Sequence, residues 1–166
     1  SLSIATVNAQ TPAPLKTYAF VGASPNTVGV GQQTVLRLGI TQQLAAPAYG
    51  WEGLTITITH PDGKKENLGP FRTDSTGGTY SIYIPTEEGN YTLQSHFPQQ
   101  TNPAAMGSIA KDQVMLASSS EEVILQVLSE PIKGPQVAAL PTEYWTRPTN
   151  DQYQAWQTIG GNWLPA

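Results

Sequence analysis

Between Gly53 and Phe97 the chain reads GLTITITHPDGKKENLGPFRTDSTGGTYSIYIPTEEGNYTLQSHF. Leu54, Ile56 and Ile58 alternate strictly with Thr55, Thr57 and Thr59. Successive side chains of a strand point to opposite faces, so this pattern describes a strand with one buried and one wet face. Pro61-Asp62-Gly63 then breaks the run: Pro presets one dihedral and Gly accepts positive φ, as a tight turn requires. Gly69-Pro70, Gly77-Gly78 and Glu88-Gly89-Asn90 repeat the punctuation. Half-buried strands joined by tight turns are the pattern of an antiparallel sandwich.

The same reading extends along the chain. Lys16 to Ala23 carries strand formers and ends at the turn Ser24-Pro25-Asn26. Val28-Gly29-Val30-Gly31-Gln32 resembles the kinked first strand of surface Ig-like domains. In Thr34 to Thr41, Leu36, Leu38 and Ile40 share one face. A short return strand is expected at Lys65 to Leu68, with a further piece at Phe71 to Thr73. Tyr80, Ile82 and Ile84 are expected to form the next inward row, followed by Tyr91, Leu93 and Phe97. A weak strand falls at Gln113 to Leu116 and the last strong one at Val123 to Leu128. Seven or eight short strands, no helix and turns at about ten-residue spacing predict an all-β, Ig-like antiparallel sandwich over residues 16–130.

Composition narrows the function classes. The chain has 166 residues, 8 Lys plus Arg against 12 Asp plus Glu, and only 12% charged residues. Its basic residues are scattered, whereas nucleic-acid binding needs a clustered basic face. A nucleic-acid partner is therefore rejected. Without any Cys, neither a disulfide framework nor a thiolate metal site can form. No segment is apolar for long enough to span a membrane as a helix.

Residues 1–9, SLSIATVNA, are uncharged and moderately apolar, and end in Val-Asn-Ala before Gln10. They read as the rear of a signal peptide with a small-x-small cleavage site. This places the protein outside the cell or on its surface. Residues 10–15 form a Pro-rich lead-in. After Glu130, residues 131–141 carry Pro131, Gly134, Pro135 and Pro141 and read as a stiff linker. Residues 142–166 hold three of the four Trp residues, more aromatic surface than a linker needs.

Candidate site residues are structural rather than catalytic. Gly89-Asn90-Tyr91 resembles the tyrosine corner of Ig-like domains, in which a Tyr hydroxyl bonds to backbone upstream; Tyr91 is otherwise a plain core residue. Leu93 stands two positions on, where antibody domains carry a Cys. Asn90-Tyr91-Thr92 is an Asn-x-Thr sequon, a candidate glycosylation acceptor. Trp51, just ahead of a strand, is expected to cover one end of the core rather than serve as a ligand platform.

Asp62, Asp74, Glu87 and Glu88 lie in turns without calcium-loop spacing, and Asp74 is expected to cap its turn. His60 and His96 could meet across the sheet, but a pair of His without carboxylate ligands is more often half-exposed beside a turn. No nucleophile elbow, phosphate loop or zinc-helix motif is present. No catalytic, metal or cofactor-binding residue is assigned. The long loops, Gln42 to Trp51 and Pro98 to Ser120, are where such a sandwich would bind, with polar Gln99-Gln100-Thr101-Asn102 suited to carbohydrate or protein contact.

Leu140-Pro141-Thr142-Glu143-Tyr144-Trp145-Thr146-Arg147-Pro148, continuing to Trp156 and Gly160-Gly161-Asn162-Trp163-Leu164, resembles a known junction. In exported, largely archaeal proteins, an Ig-like domain leads there into a pyrroloquinoline-quinone-type repeat β-propeller. Tyr18 to Gly22, Val28 to Gln32, Pro61-Asp62-Gly63 and Gly69-Pro70-Phe71 also fit such leader domains. The resemblance implies that Tyr144, Trp145, Trp156 and Trp163 pack on a first blade of a following propeller. Any quinone would be held in that propeller, so no cofactor residue carries over to this chain. Three functions follow as expectations: a spacer or binding module of a surface protein, an accessory domain of an exported quinoprotein-like dehydrogenase, or a structural subunit of a surface filament whose sheet edge accepts a neighbour's strand.

Overall fold

The computed structural model describes residues 12–134. The segment read as a signal peptide, most of the residues read as a linker and the aromatic residues Tyr144, Trp145, Trp156 and Trp163 lie outside the described residues. Strands run in the order β1 (Ala19–Ser24), β2 (Thr27–Gly29), β3 (Thr34–Ile40), β4 (Leu54–Thr59), β5 (Lys65–Phe71), β6 (Gly78–Tyr83), β7 (Gly89–Phe97), β8 (Gln100–Thr101), β9 (Val114–Met115), β10 (Ser118–Ser119) and β11 (Val123–Leu128). One sheet has the order β1-β3-β6, and the other β2-β11-β7-β4-β5 with β10 added beside β7. This is the Ig-like arrangement of two facing sheets.

The first strand is shared between the sheets. β1 pairs with β3 in antiparallel register, the chain breaks at Pro25, and β2 then pairs in parallel with β11. Proline has no N–H to offer a ladder, so it suits the point where the strand leaves one sheet for the other. Thr34 closes the break by donating its hydroxyl to the Pro25 carbonyl at 2.7 Å.

Between the sheets lie Leu36, Leu38 and Ile40 of β3, Leu54, Ile56 and Ile58 of β4, Tyr91, Leu93 and Phe97 of β7, and Leu125 and Val127 of β11, all buried. Each fully buried Leu or Ile contributes about 1.5–3 kcal/mol relative to an exposed one. Ser95, on the same row of β7, is also buried. It donates its hydroxyl to the Phe20 carbonyl of β1 at 2.9 Å, a polar tie between the sheets. No buried side-chain polar atom among the described residues lacks a hydrogen-bond partner.

β6 reverses the sequence expectation. Tyr80, Ile82 and Ile84 are 68%, 56% and 53% exposed, whereas Tyr83 is buried. The register explains it: Leu36 pairs with Ser81, Leu38 with Thr79 and Thr34 with Tyr83. Directly opposed residues share a face, so the inward set of β3 draws Thr79, Ser81 and Tyr83 inward and turns the larger row to solvent. Ile82→Thr should therefore shift the unfolding free energy by no more than about 0.5 kcal/mol. Leu36→Ala should cost about 2–5 kcal/mol. Urea titration of both variants checks the assignment, and a large loss for Ile82→Thr would restore the inward row.

Candidate functional site

The two ends of the sandwich differ in chemistry. At one end β4 begins and β7 finishes. Trp51 is almost fully buried there, with its ring edge-on to Phe97 at 5.6 Å. Its indole N–H donates to the Gln42 carbonyl at 2.8 Å, and its backbone N–H donates to Thr73 Oγ1 at 2.8 Å. With every polar group bonded inward, Trp51 presents no open ring face and seals this end of the core.

The two long loops converge at this same end. Gln100 accepts from the Glu52 N–H at 3.1 Å and donates to the Glu52 carbonyl at 3.0 Å. The polar stretch that suggested ligand contact is largely used internally. Gln100 and Thr101 pair with β9. Asn102 is buried, and its amide donates to the carbonyls of Ala104 and Ala110 at 2.6 and 2.8 Å. Gln113 donates to the Ala13 carbonyl at 2.7 Å, and Leu15 bridges to Met115. Gln99 and Thr101 remain exposed; Asn102 builds the loop rather than reaching a partner.

At the opposite end stands Tyr91. Its hydroxyl donates to the Glu87 carbonyl at 3.1 Å and accepts from the Glu87 N–H at 3.2 Å. A buried Tyr bonded to backbone four residues upstream of itself has the geometry by which a tyrosine corner braces a connection. Gly89, at φ 128, makes the tight passage possible; a Cβ there would lie 2.7 Å from the Pro61 ring. Leu93 is buried and stands opposite Ile58 and Val123 in the register. Asn90 is exposed at the start of β7.

His60 and His96 do not meet. The His60 ring packs on Tyr91 with centroids 5.0 Å apart, and its Nε2 lies 3.2 Å from Glu66 Oε2. Tyr83 donates to the same carboxylate oxygen at 3.4 Å, linking β6 of one sheet to β5 of the other. Burial, followed by the nearby Glu66 charge, holds the Tyr83 phenol well above the ordinary tyrosine value.

His96 instead belongs to a relay on the outer face of the larger sheet. Ser119 Oγ lies 2.8 Å from His96 Nδ1, His96 Nε2 lies 3.0 Å from Thr57 Oγ1, and Thr57 donates to Asn67 Oδ1 at 2.8 Å. Thr57 has one proton and gives it to Asn67, so its oxygen accepts from His96 Nε2–H and Nδ1 accepts from Ser119. The Ser–His pair lacks the carboxylate that orients the base in a nucleophilic triad; an amide ends the chain. Sequence reasoning missed this row because period-2 alternation names a face but not which strands lie side by side.

The turn carboxylates have local partners. Asp74 accepts from the Thr76 hydroxyl and the N–H groups of Thr76 and Gly78. The Thr76 hydrogen bond is the main cause holding its carboxyl below the usual range. Asp62 is likewise lowered, chiefly by the Lys64 side chain. Among the described residues no three His, Cys, Asp or Glu side chains converge to hold a metal. A shallow depression of about 550 Å³, lined by Glu88, Gly89, Val127, Leu128, Ser129 and Glu130, is open to solvent.

No protein-family model matches the chain, and no curated protein does. Among solved structures, the PKD domain of an M14-like peptidase from a Thermoplasmatales archaeon is 13% identical, with a TM-score of 0.38, covering 72% of this chain and 99% of that one. The CARDB domain of a Pyrococcus furiosus protein is 13% identical, with a TM-score of 0.33, covering 69% and 95%. A second structure of that domain, in complex with di-metal ions, is 12% identical with a TM-score of 0.31 and covers 69% and 94%.

Two outcomes check this account. Tyr91→Phe should lose about 1 kcal/mol or more of stability, because both Glu87 backbone bonds go with the hydroxyl. An unchanged denaturation midpoint would show the hydroxyl to be idle. Tyr83 tests pH dependence. A phenol raised in the folded state gives up its proton first in the unfolded chain, so its contribution is intact below the unfolded value near 10. It is lost as pH rises above that value. Tyr83→Phe should flatten the fall in melting temperature above pH 10, and an unaltered alkaline limb would contradict the assignment.

Proposed function

We propose that this chain is a non-catalytic Ig-like spacer and binding module of a secreted or cell-surface protein, placed ahead of a quinoprotein-type β-propeller. The observation that carries the spacer role is where the chain enters and leaves the sandwich. β1 begins beside the end of β7, where Phe20 accepts from Ser95. β11 finishes beside the start of β7, where Val127 faces Gly89. The chain therefore enters at one end of the long axis and leaves at the other. The run from Ala19 to Gly29 sets that axis at roughly 35 Å by the rise of a strand.

The exit is held in place. Gln32 accepts from the N–H groups of Gly29 and Ile132 at 2.7 and 2.8 Å and donates to the Ile132 carbonyl at 2.9 Å. A Cβ on Gly29 would fall 2.4 Å from the Glu130 carbonyl oxygen, so only glycine allows the departing chain this close. A held exit at the end opposite the entry is what a spacer requires. The exposed Asn90 of the sequon and the apolar leader support export, and the exposed parts of the two long loops are the surfaces for a carbohydrate or protein partner. The propeller reading rests on the Tyr144-Trp145-Thr146-Arg147-Pro148 stretch.

Two copies of residues 12–134 joined tail to head test the spacer. Small-angle scattering should show the maximum dimension growing by about 35–40 Å per copy, and a folded-back pair of nearly unchanged length would overturn it. Export has its own check. Intact mass of protein from its natural producer should show a glycan that disappears in Asn90→Gln, and an unmodified, unprocessed chain would contradict it.

A further inference from the structure

The smaller sheet carries a surface that the spacer role does not use. β6 is its edge, with β3 on one side and no strand on the other among the described residues. Ile40 donates to the Gly77 carbonyl at 2.9 Å. In the observed register this makes Leu38–Thr79, Leu36–Ser81 and Thr34–Tyr83 the hydrogen-bonded pairs. The N–H and C=O groups of Tyr80 and Ile82 consequently point away from β3, toward the open edge, while those of Gly78 are taken by Asp74. Natural proteins guard such edges with charge, proline or bulges. From Thr76 to Ile84 there is no charged residue and no proline, and the pairing with β3 runs without a bulge.

We propose that this edge pairs with the same edge of a second copy, antiparallel, about a two-fold axis through Ser81. The parity fits, because the residues with free outward-pointing backbone then meet as hydrogen-bonded pairs, Tyr80 with Ile82 of the partner subunit and the reverse, while Gly78 lies opposite Ile84 of the partner subunit. Side chains fit too. A bulky Ile lies over a residue without a side chain, and an aromatic sits beside a β-branched residue, a favourable cross-strand pair. Phe20 and Gly39 continue the row within one copy, with the Phe20 ring lying against Gly39. The only charge on this face of the three strands, Arg37, sits one strand in from the edge opposite Tyr80. The two copies of Arg37 are then about 14 Å apart, three strand spacings, beyond the screening length at physiological salt. A foreign strand would also satisfy the backbone, but the large-on-small match is self-complementary and favours a second copy.

Tyr80, Ile82 and Ile84 are each more than half exposed, but one strand edge per copy buries less than the roughly 1,200–2,000 Å² of a stable specific interface. The product is a concentration-dependent dimer rather than an obligate one.

Sedimentation equilibrium of residues 1–166 across a wide concentration range should show a monomer–dimer equilibrium that Ile82→Lys weakens at least tenfold. Position 82 is exposed, so an unchanged melting temperature certifies the fold of that variant. A second variant locates the axis. Ser81 meets itself in a non-hydrogen-bonded pair with Cα atoms about 4.5 Å apart, within disulfide range. The chain has no other Cys, so Ser81→Cys should cross-link on mild oxidation while Lys65→Cys, on the edge of the other sheet, should not. A chain that remains monomeric at all concentrations overturns the proposal and leaves the edge to a strand of another protein. A dimer indifferent to Ile82→Lys, with no Ser81→Cys cross-link, overturns it equally. Neither result bears on the end-to-end spacer, which is read from the two ends of the sandwich.

Discussion

Each strand of this domain has only one face to bury, and the two sheets bury those faces against each other. The inward rows of β3, β4, β7 and β11 are aliphatic and almost fully enclosed. No disulfide ties the layers, since the chain has no Cys, so the packing of these rows must be supplemented by hydrogen bonds. Those bonds are placed where the layers meet at their margins. Ser95 reaches Phe20 on one side, and Tyr83 reaches Glu66 on the other. Tyr91 ties the Glu87 turn to the foot of β7. In a low-dielectric setting a satisfied polar group adds rigidity, whereas an orphan would cost several times more than the bond contributes.

The split first strand sets where the chain enters and leaves the sandwich. Because β1 belongs to one sheet and β2 to the other, a single strand direction runs the length of the sandwich. The last strand, β11, runs parallel to β2, and so the chain departs at the end opposite its arrival. The Gln32 clamp then converts a C-terminal strand end into a fixed exit. The residues that make this possible, Gly29 and Gln32, read in sequence only as part of a kinked first strand. Their role depends on Ile132, which is distant in the chain.

How much was legible follows from how many apolar rows a segment offers. Thr34 to Thr41, Leu54 to Thr59 and Tyr91 to Phe97 each present one apolar row against one polar row, so their inward faces are unambiguous. The Gly78 to Ile84 segment presents Tyr80-Ile82-Ile84 on one side and Thr79-Ser81-Tyr83 on the other. Hydrophobicity alone favours the first row, and the register imposes the second. Polar residues misled for a related reason. Asn102 reads as a surface contact, but in a long connection the nearest groups needing partners are the loop's own carbonyls.

The sequence by itself determined the class of fold and the number and rough place of the main strands, because period-2 alternation and turn residues act over a few neighbours. It also determined that thiolate chemistry is absent, since the chain has no Cys. Tertiary structure alone decided which strands lie side by side, which face of β6 is wet, and which distant groups meet, such as Ser119 with His96 or Gln32 with Ile132. These depend on register, and register is set by the joint packing of whole sheets.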